Sequence, residues 1–236
     1  MISSAEVVRR IVAAQAPVLL PDTCSLLDLM RDPTREIFFA EQVEAARRLL
    51  IRAEVRPRTL WLPIVSQVLD ERRDHQLNVK QEAEVKIRKL EECIHRVQRT
   101  MAAHGLKTTA IAPTLVASNF PDTASGMVDQ YFSAGLHVKN PRGIEGRVLG
   151  RIAANKAPSK RGQQAKDCIV IESYLHIAKQ LREQKFQQKI VFLTTNTRDY
   201  SDGVGSGKLH PDLVAEFSVV NMAYAVNFQM AEHFLV

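Results

Sequence analysis

Cysteine is scarce in this chain: Cys24, Cys93 and Cys168 lie far apart, with no CxxC spacing and no even count. That usage argues against a disulfide framework and a cysteine-based zinc site, and it fits a reducing, cytoplasmic compartment. Long apolar runs are missing too. No stretch approaches about 18 uncharged apolar residues, so no membrane-spanning helix is expected. The first turns of the chain carry Glu6, Arg9 and Arg10 and have no long apolar core, so no signal peptide is expected either. There is no internal repeat and no low-complexity tract. The His residues are scattered, and no Ser/His/Asp or Cys/His arrangement offers a protein nucleophile.

What is present suits a folded domain. The 236 residues are 45% apolar, enough for a core without covalent staples. The expectation is a single domain over 1–236, with a helical and loop insertion at about 76–160, of which 106–160 is rich in Pro, Gly and Thr. The net charge of +6 favours a polyanionic partner. It is concentrated between Lys139 and Lys166, where Lys139, Arg142, Arg147, Arg151, Lys156, Lys160, Arg161 and Lys166 face the single acid Glu145. A solvated surface and a phosphate-tracking loop both account for such a strip.

Apolar patterning sets the fold class. Pro17–Pro21 and Ile190–Thr194 are continuous apolar runs, as in strands covered on both faces. Thr59–Ile64 and Met222–Val226 are further strand-length runs. Helices are expected from about Pro33 to Ala53 (Phe38, Ala45, Leu49, Arg52), from Val65 to about His104, and from Asp167 (Ile171, Leu175, Ala178, Leu181). In the second, one helix or two, Leu90, Ile94, Val97 and Met101 form an apolar stripe opposite a charged face, the ordinary pattern of a packed amphipathic helix. Strands alternating with helices imply a three-layer α/β/α sandwich with a central, mainly parallel sheet.

In such sheets ligands bind beyond the carboxyl ends of the strands. Asp22 ends the first strand, Asp199 follows the Ile190–Thr194 strand by a short turn, and Asp167 begins a helix above its apolar stripe. Glu71 follows Ile64 and Val68 at helical spacing. Asp167 and Asp22 each have a simpler explanation as a helix cap. Four acids converging from separate elements do not: two carboxylates about 4 Å apart repel by roughly 4 kcal/mol at an effective dielectric near 20. An all-oxygen ligand set points to Mg²⁺ or Mn²⁺.

Pro21-Asp22-Thr23-Cys24-Ser25-Leu26-Leu27-Asp28-Leu29 resembles the opening of PIN domains, in which an apolar strand ends in Asp-Thr/Ser before a leucine-rich helix. Leu62-Pro63 with Val68-Leu69-Asp70-Glu71 resembles their second strand and the acid-bearing helix after it. Lys166-Asp167-Cys168-Ile169-Val170-Ile171 is similar to their Asp-initiated helix, and Phe192-Leu193-Thr194-Thr195-Asn196-Thr197-Arg198-Asp199-Tyr200 to their Thr-x-Asn-x-x-Asp-aromatic segment. The last is the most specific, and the four stand in the family's order. The resemblance implies a metal-dependent nuclease, most simply an endoribonuclease on single-stranded or structured RNA. Asp22, Glu71, Asp167 and Asp199 would hold Mg²⁺ or Mn²⁺, and Asn196 and Thr194 would orient them. Lys156, Lys160, Arg161, Lys166 and Arg198 are candidates for gripping RNA.

PIN domains are usually shorter, and residues 76–160 match nothing in the family's pattern. Asp70, Asp74, Glu41 and Glu44 compete with Glu71, and Glu172 is a secondary candidate. A toxin restrained by an antitoxin, and a homodimer, are roles the resemblance leaves open. The alternatives are a nuclease acting on DNA and a non-catalytic RNA-binding protein. Gly203–Lys208 is not a P-loop, because Asp202 and Leu209 stand where that motif needs Gly and Ser/Thr. Asp22-Thr23-Cys24 lacks the second Asp of a haloacid-dehalogenase site.

Overall fold

The computed structural model describes residues 1–35, 40–106, 114–161, 165–203 and 206–236, without the side chain of Arg161. Phe38 lies outside them, as do Val204 and Gly205 of the glycine-rich loop. The element order is α1 (Ser4–Ala14), β1 (Val18–Pro21), α2 (Thr23–Asp28), α3 (Ala40–Glu54), β2 (Pro63–Val65), α4 (Ser66–Ala103), α5 (Phe120–Ala134), β3 (Leu136–Val138), α6 (Ile144–Ala153), α7 (Ala165–Glu183), β4 (Ile190–Leu193), α8 (Thr197–Tyr200), α9 (Pro211–Val219), β5 (Met222–Ala225) and α10 (Phe228–Phe234).

All strand pairs are parallel. β1 pairs with β4 from Val18–Ile190 to Pro21–Leu193, β4 with β5, and β2 with β3. A bridge between Val18 and Trp61 joins the two sets, giving the spatial order β3-β2-β1-β4-β5. Parallel neighbours need crossover connections, and helices of both faces supply them. β1 and β4 are buried at every position, which is why both read as unbroken apolar runs. Phe192 sits at the middle of the core, with the rings of Tyr174, Tyr200 and Phe217 packed around it at 5.2–6.0 Å.

The chain runs from β1 to β2 and β3 on one side, then crosses to β4 and β5 on the other. Connections leaving β1 and β4 therefore diverge, and a crevice opens between their carboxyl ends.

Two elements depart from the patterns above. β3 lies inside 76–160, where three residues with a central His137 carry no apolar run to mark a strand. α4 is one helix of 38 residues, roughly 57 Å long. It packs on α5 and buries Val79, Ala83 and Ile87 in its first half. The stripe beyond is not packed as an ordinary amphipathic face would be: Leu90, Val97 and Met101 are exposed, Val97 by 52%.

Candidate active site

β1 ends at Pro21 because Asp22 turns the chain into α2. The Asp22 amide still donates to the Leu193 carbonyl of β4 (2.8 Å), and Oδ1 caps the helix by accepting from the Thr23 amide (2.7 Å). The capping explanation of Asp22 is thus correct for one oxygen. Oδ2 accepts from Thr194 Oγ1 (2.8 Å) and Cys24 Sγ (3.1 Å). Ser25 Oγ donates to the Leu193 carbonyl (3.0 Å), stitching α2 to β4. Burial pushes the Asp22 carboxyl up to about 6; hydrogen bonds from Cys24, Thr194 and Thr23 oppose this and the Glu71 charge adds to it.

Thr194 is fully buried at the end of β4. Its amide donates to the Ala225 carbonyl of β5, and its hydroxyl also accepts from the Asn196 amide (3.1 Å). Asn196 caps the single turn of α8, receiving the amides of Asp199 and Tyr200 on its carbonyl. That turn points Asp199 inward, 8% exposed, with Oδ1 buried and lacking any hydrogen-bond partner. Tyr200 anchors α8 to α7 by donating to the Asp167 carbonyl (3.1 Å).

Asp167 stands in the first turn of α7, which begins at Ala165, so it is not that helix's cap. Burial pushes its carboxyl up to about 8, followed by the charges of Asp22, Glu71 and Asp199, while the Asn196 side chain donates to it and pulls the other way. Four acids from β1, α4, α7 and α8 therefore share one electrostatic neighbourhood. Glu71 is the acid of α4 that reaches it, oriented by Gln67 (3.0 Å). Its competitors are engaged elsewhere or exposed: Asp70 pairs with Arg73, Asp74 with Lys166, Glu44 with Arg48, and Glu41 lies on the surface. Glu172 does not join the cluster, because Arg151 and Arg147 hold both its oxygens.

The basic candidates divide. Lys156 and Arg198 are exposed, Lys160 pairs with Asp212 (3.1 Å) and Lys166 with Asp74 (3.4 Å). The side chain of Arg161 lies outside the described residues. A cavity of about 630 Å³ along Leu69, Arg72, Gln76 and Lys80 of α4 contains none of the four acids, and its cations are paired, Arg72 with Asp129 and Lys80 with Asp122.

Sequence patterns did not single out Cys24 or Tyr174. Cys24 follows Asp22 on the same turn, and Tyr174, one helical heptad beyond Asp167, donates to the Pro21 carbonyl (2.7 Å). Only the aromatic next to Asp199 carried a signal, as part of its motif. Among the described residues no group of three or more His, Cys, Asp or Glu side chains is placed to hold a metal ion. The donor chemistry nonetheless fits a hard dication. The buried Oδ1 of Asp199 has an unused lone pair, and the repulsion that adds to burial in raising Asp167 is what a cation would relieve.

Compared with known proteins, residues 20–200 match the protein-family model described as PIN domain. No curated protein and no solved structure matches the chain.

Proposed function

The chain belongs to the PIN-domain family, whose members are generally nucleases, and from that premise we propose that it is a divalent-metal-dependent endoribonuclease. The reading takes 1–236 as one such domain and single-stranded RNA as the substrate. One arrangement carries it: Asp22 at the end of β1, Glu71 on α4, Asp167 on α7 and Asp199 on α8 come near enough for the other three charges to act on Asp167. A fold without a use for cations gains nothing from gathering four acids there.

In this reading Asp22, Glu71, Asp167 and Asp199 hold Mg²⁺ or Mn²⁺. When bound, such ions acidify a water, align it with phosphorus and stabilise the leaving oxyanion. Thr194 and Cys24 hold Oδ2 of Asp22 by donating to it. Asn196 holds Asp167 from the side and spaces Asp199 from Thr194 through its backbone. Lys156, Lys160, Arg161, Lys166 and Arg198 would take phosphates, Lys160 and Lys166 by exchanging Asp212 and Asp74 for substrate. In a toxin-type version of this role, an antitoxin would cover that rim, and co-purification with the product of a neighbouring gene tests it.

Labelled single-stranded RNA and DNA, incubated with Mn²⁺, Mg²⁺ or EDTA, provide the test. Internal cuts in RNA with either metal and none in EDTA are expected. Cutting of DNA alone would change the substrate class, and cutting of neither would overturn the reading.

A further inference from the structure

A positively charged segment stands beside the acidic cluster, and a buried guanidinium holds it there. Residues 155–160 leave the end of α6, and the 3-10 turn Ser159–Arg161 touches both α7 and α8, the helices carrying Asp167 and Asp199. Ser159 lies against the thiol of Cys168, next to Asp167 in the chain.

The holder is Arg151 on α6, whose side chain is 3% exposed. Nε and Nη2 bind Glu172 of α7 at 2.7 and 2.6 Å, and Nη2 also reaches Glu216 of α9 at 2.6 Å. Nη1 donates to the Ala157 carbonyl at 2.7 Å. On the other side of that residue the Ala157 amide donates to Asp212 of α9 at 3.0 Å. Two helices and the segment thus meet on one planar group.

Stability alone does not call for this. A buried ion cluster usually returns no more than well-packed apolar side chains of similar volume. A guanidinium does something such side chains cannot, fixing the relative orientation of every group it bonds. What is oriented here is a segment presenting exposed Lys156 and Lys160, next to carboxylates that by themselves repel a phosphate chain.

We propose that Arg151 is a positioning residue for the substrate: it docks residues 155–160 as the cationic wall of the crevice, so that a phosphate backbone is gripped at a set distance from Asp167 and Asp199. The inference rests on the nuclease reading, and the experiment separates the two. RNA binding in EDTA is measured across a range of salt, with Mn²⁺-supported cleavage and amide exchange, for the wild type, Arg151→Lys, Arg151→Met and Glu216→Gln. Glu216→Gln removes the more exposed carboxylate and leaves Glu172 paired, so it serves if Arg151→Met does not fold.

Loss of the Lys156 contact, with a smaller share from Lys160, which is paired with Asp212, flattens the slope of log affinity against log salt by about 0.7 to 1.4 and weakens binding several-fold. Folded variants should show that loss, faster exchange at 155–160, and a KM that rises more than kcat falls. Arg151→Lys should recover only part, since a point charge cannot bridge all three partners. A purely structural Arg151 predicts wild-type affinity and salt slope per folded molecule, even where 155–160 exchanges faster, and that result overturns the proposal. A wild type that neither binds nor cuts RNA would instead overturn the reading beneath it.

Discussion

Asp199 illustrates how one atom can separate a structural acid from a functional one. Its Oδ1 is buried without a partner, so no hydrogen bond is lost when its charge is removed. Asp199→Asn should bring metal-dependent cleavage to background while the metal-free protein keeps or gains stability. Relief of repulsion from neighbouring acids is worth about 1 kcal/mol, or roughly 2–4 °C of Tm in a chain of this size. Thermal melts in EDTA beside a cleavage assay check this; a clear drop in Tm would mean that Asp199 is a structural acid. The raised carboxyls of Asp22 and Asp167 make a second prediction. Their values near 6 and 8 lie above the ordinary Asp value of about 3.9 in the unfolded chain. Between those limits the folded state holds more protons, so metal-free stability is fullest below about pH 4 for these groups and is lost as pH rises through 6 and 8. Melts in EDTA should fall from pH 5 to pH 8, Asp167→Asn should flatten the upper half of that decline, and Mn²⁺ should oppose it.

Among the elements, β3 is the one whose position depends most on a single small residue. Gly135, just before it, has an ordinary φ of −69°, so its backbone conformation does not require glycine. The neighbouring side chain does: a Cβ there would overlap Ile64 Cδ1 and stand 2.9 Å from Cγ1 and 3.3 Å from the Leu62 carbonyl oxygen. Gly135→Ala should push β3 off β2 and cost about 1–3 kcal/mol. Ile64→Val removes the overlapping Cδ1, so the double variant should be more stable than the two single losses summed, a coupling that a double-mutant cycle of denaturation measures directly. Additive losses would show that the two residues do not crowd each other. α8 makes the complementary case. A single turn cannot hold itself, and the Asn196 cap and the Tyr200 hydroxyl on α7 fix Asp199 in its place.

For the molecule as a whole, the +6 charge acts through its distribution. Lys160 and Lys166 already face Asp212 and Asp74, whereas Lys156 and Arg198 are exposed. Replacing Lys156 and Arg198 by Gln should flatten the salt slope for single-stranded RNA by about 1.4, two contacts at roughly 0.7 each. Lys160 and Lys166 must first leave their carboxylates, so the same replacement there should flatten it less. Titrations at several salt concentrations distinguish the pairs, and equal slopes for all variants would place RNA on another surface.

The apolar runs of β1 and β4, and the acids that follow them, were legible in the sequence because burial on both faces and a strand-ending turn are local properties. From these followed the α/β class, the parallel sheet and the candidate Asp22, Asp167 and Asp199. β3 was not legible, since three residues take their strand conformation from pairing with β2, which no local pattern encodes. Periodicity also could not tell that Leu90, Val97 and Met101 of the stripe are exposed, because it records which residues share a face and not what packs on it. Which of Glu71, Asp70, Asp74, Glu41 and Glu44 lies electrically near Asp167 likewise waited on the fold. Charges couple through space, and only the packing of α4 against the β1–β4 crevice decides which carboxylate comes near Asp167.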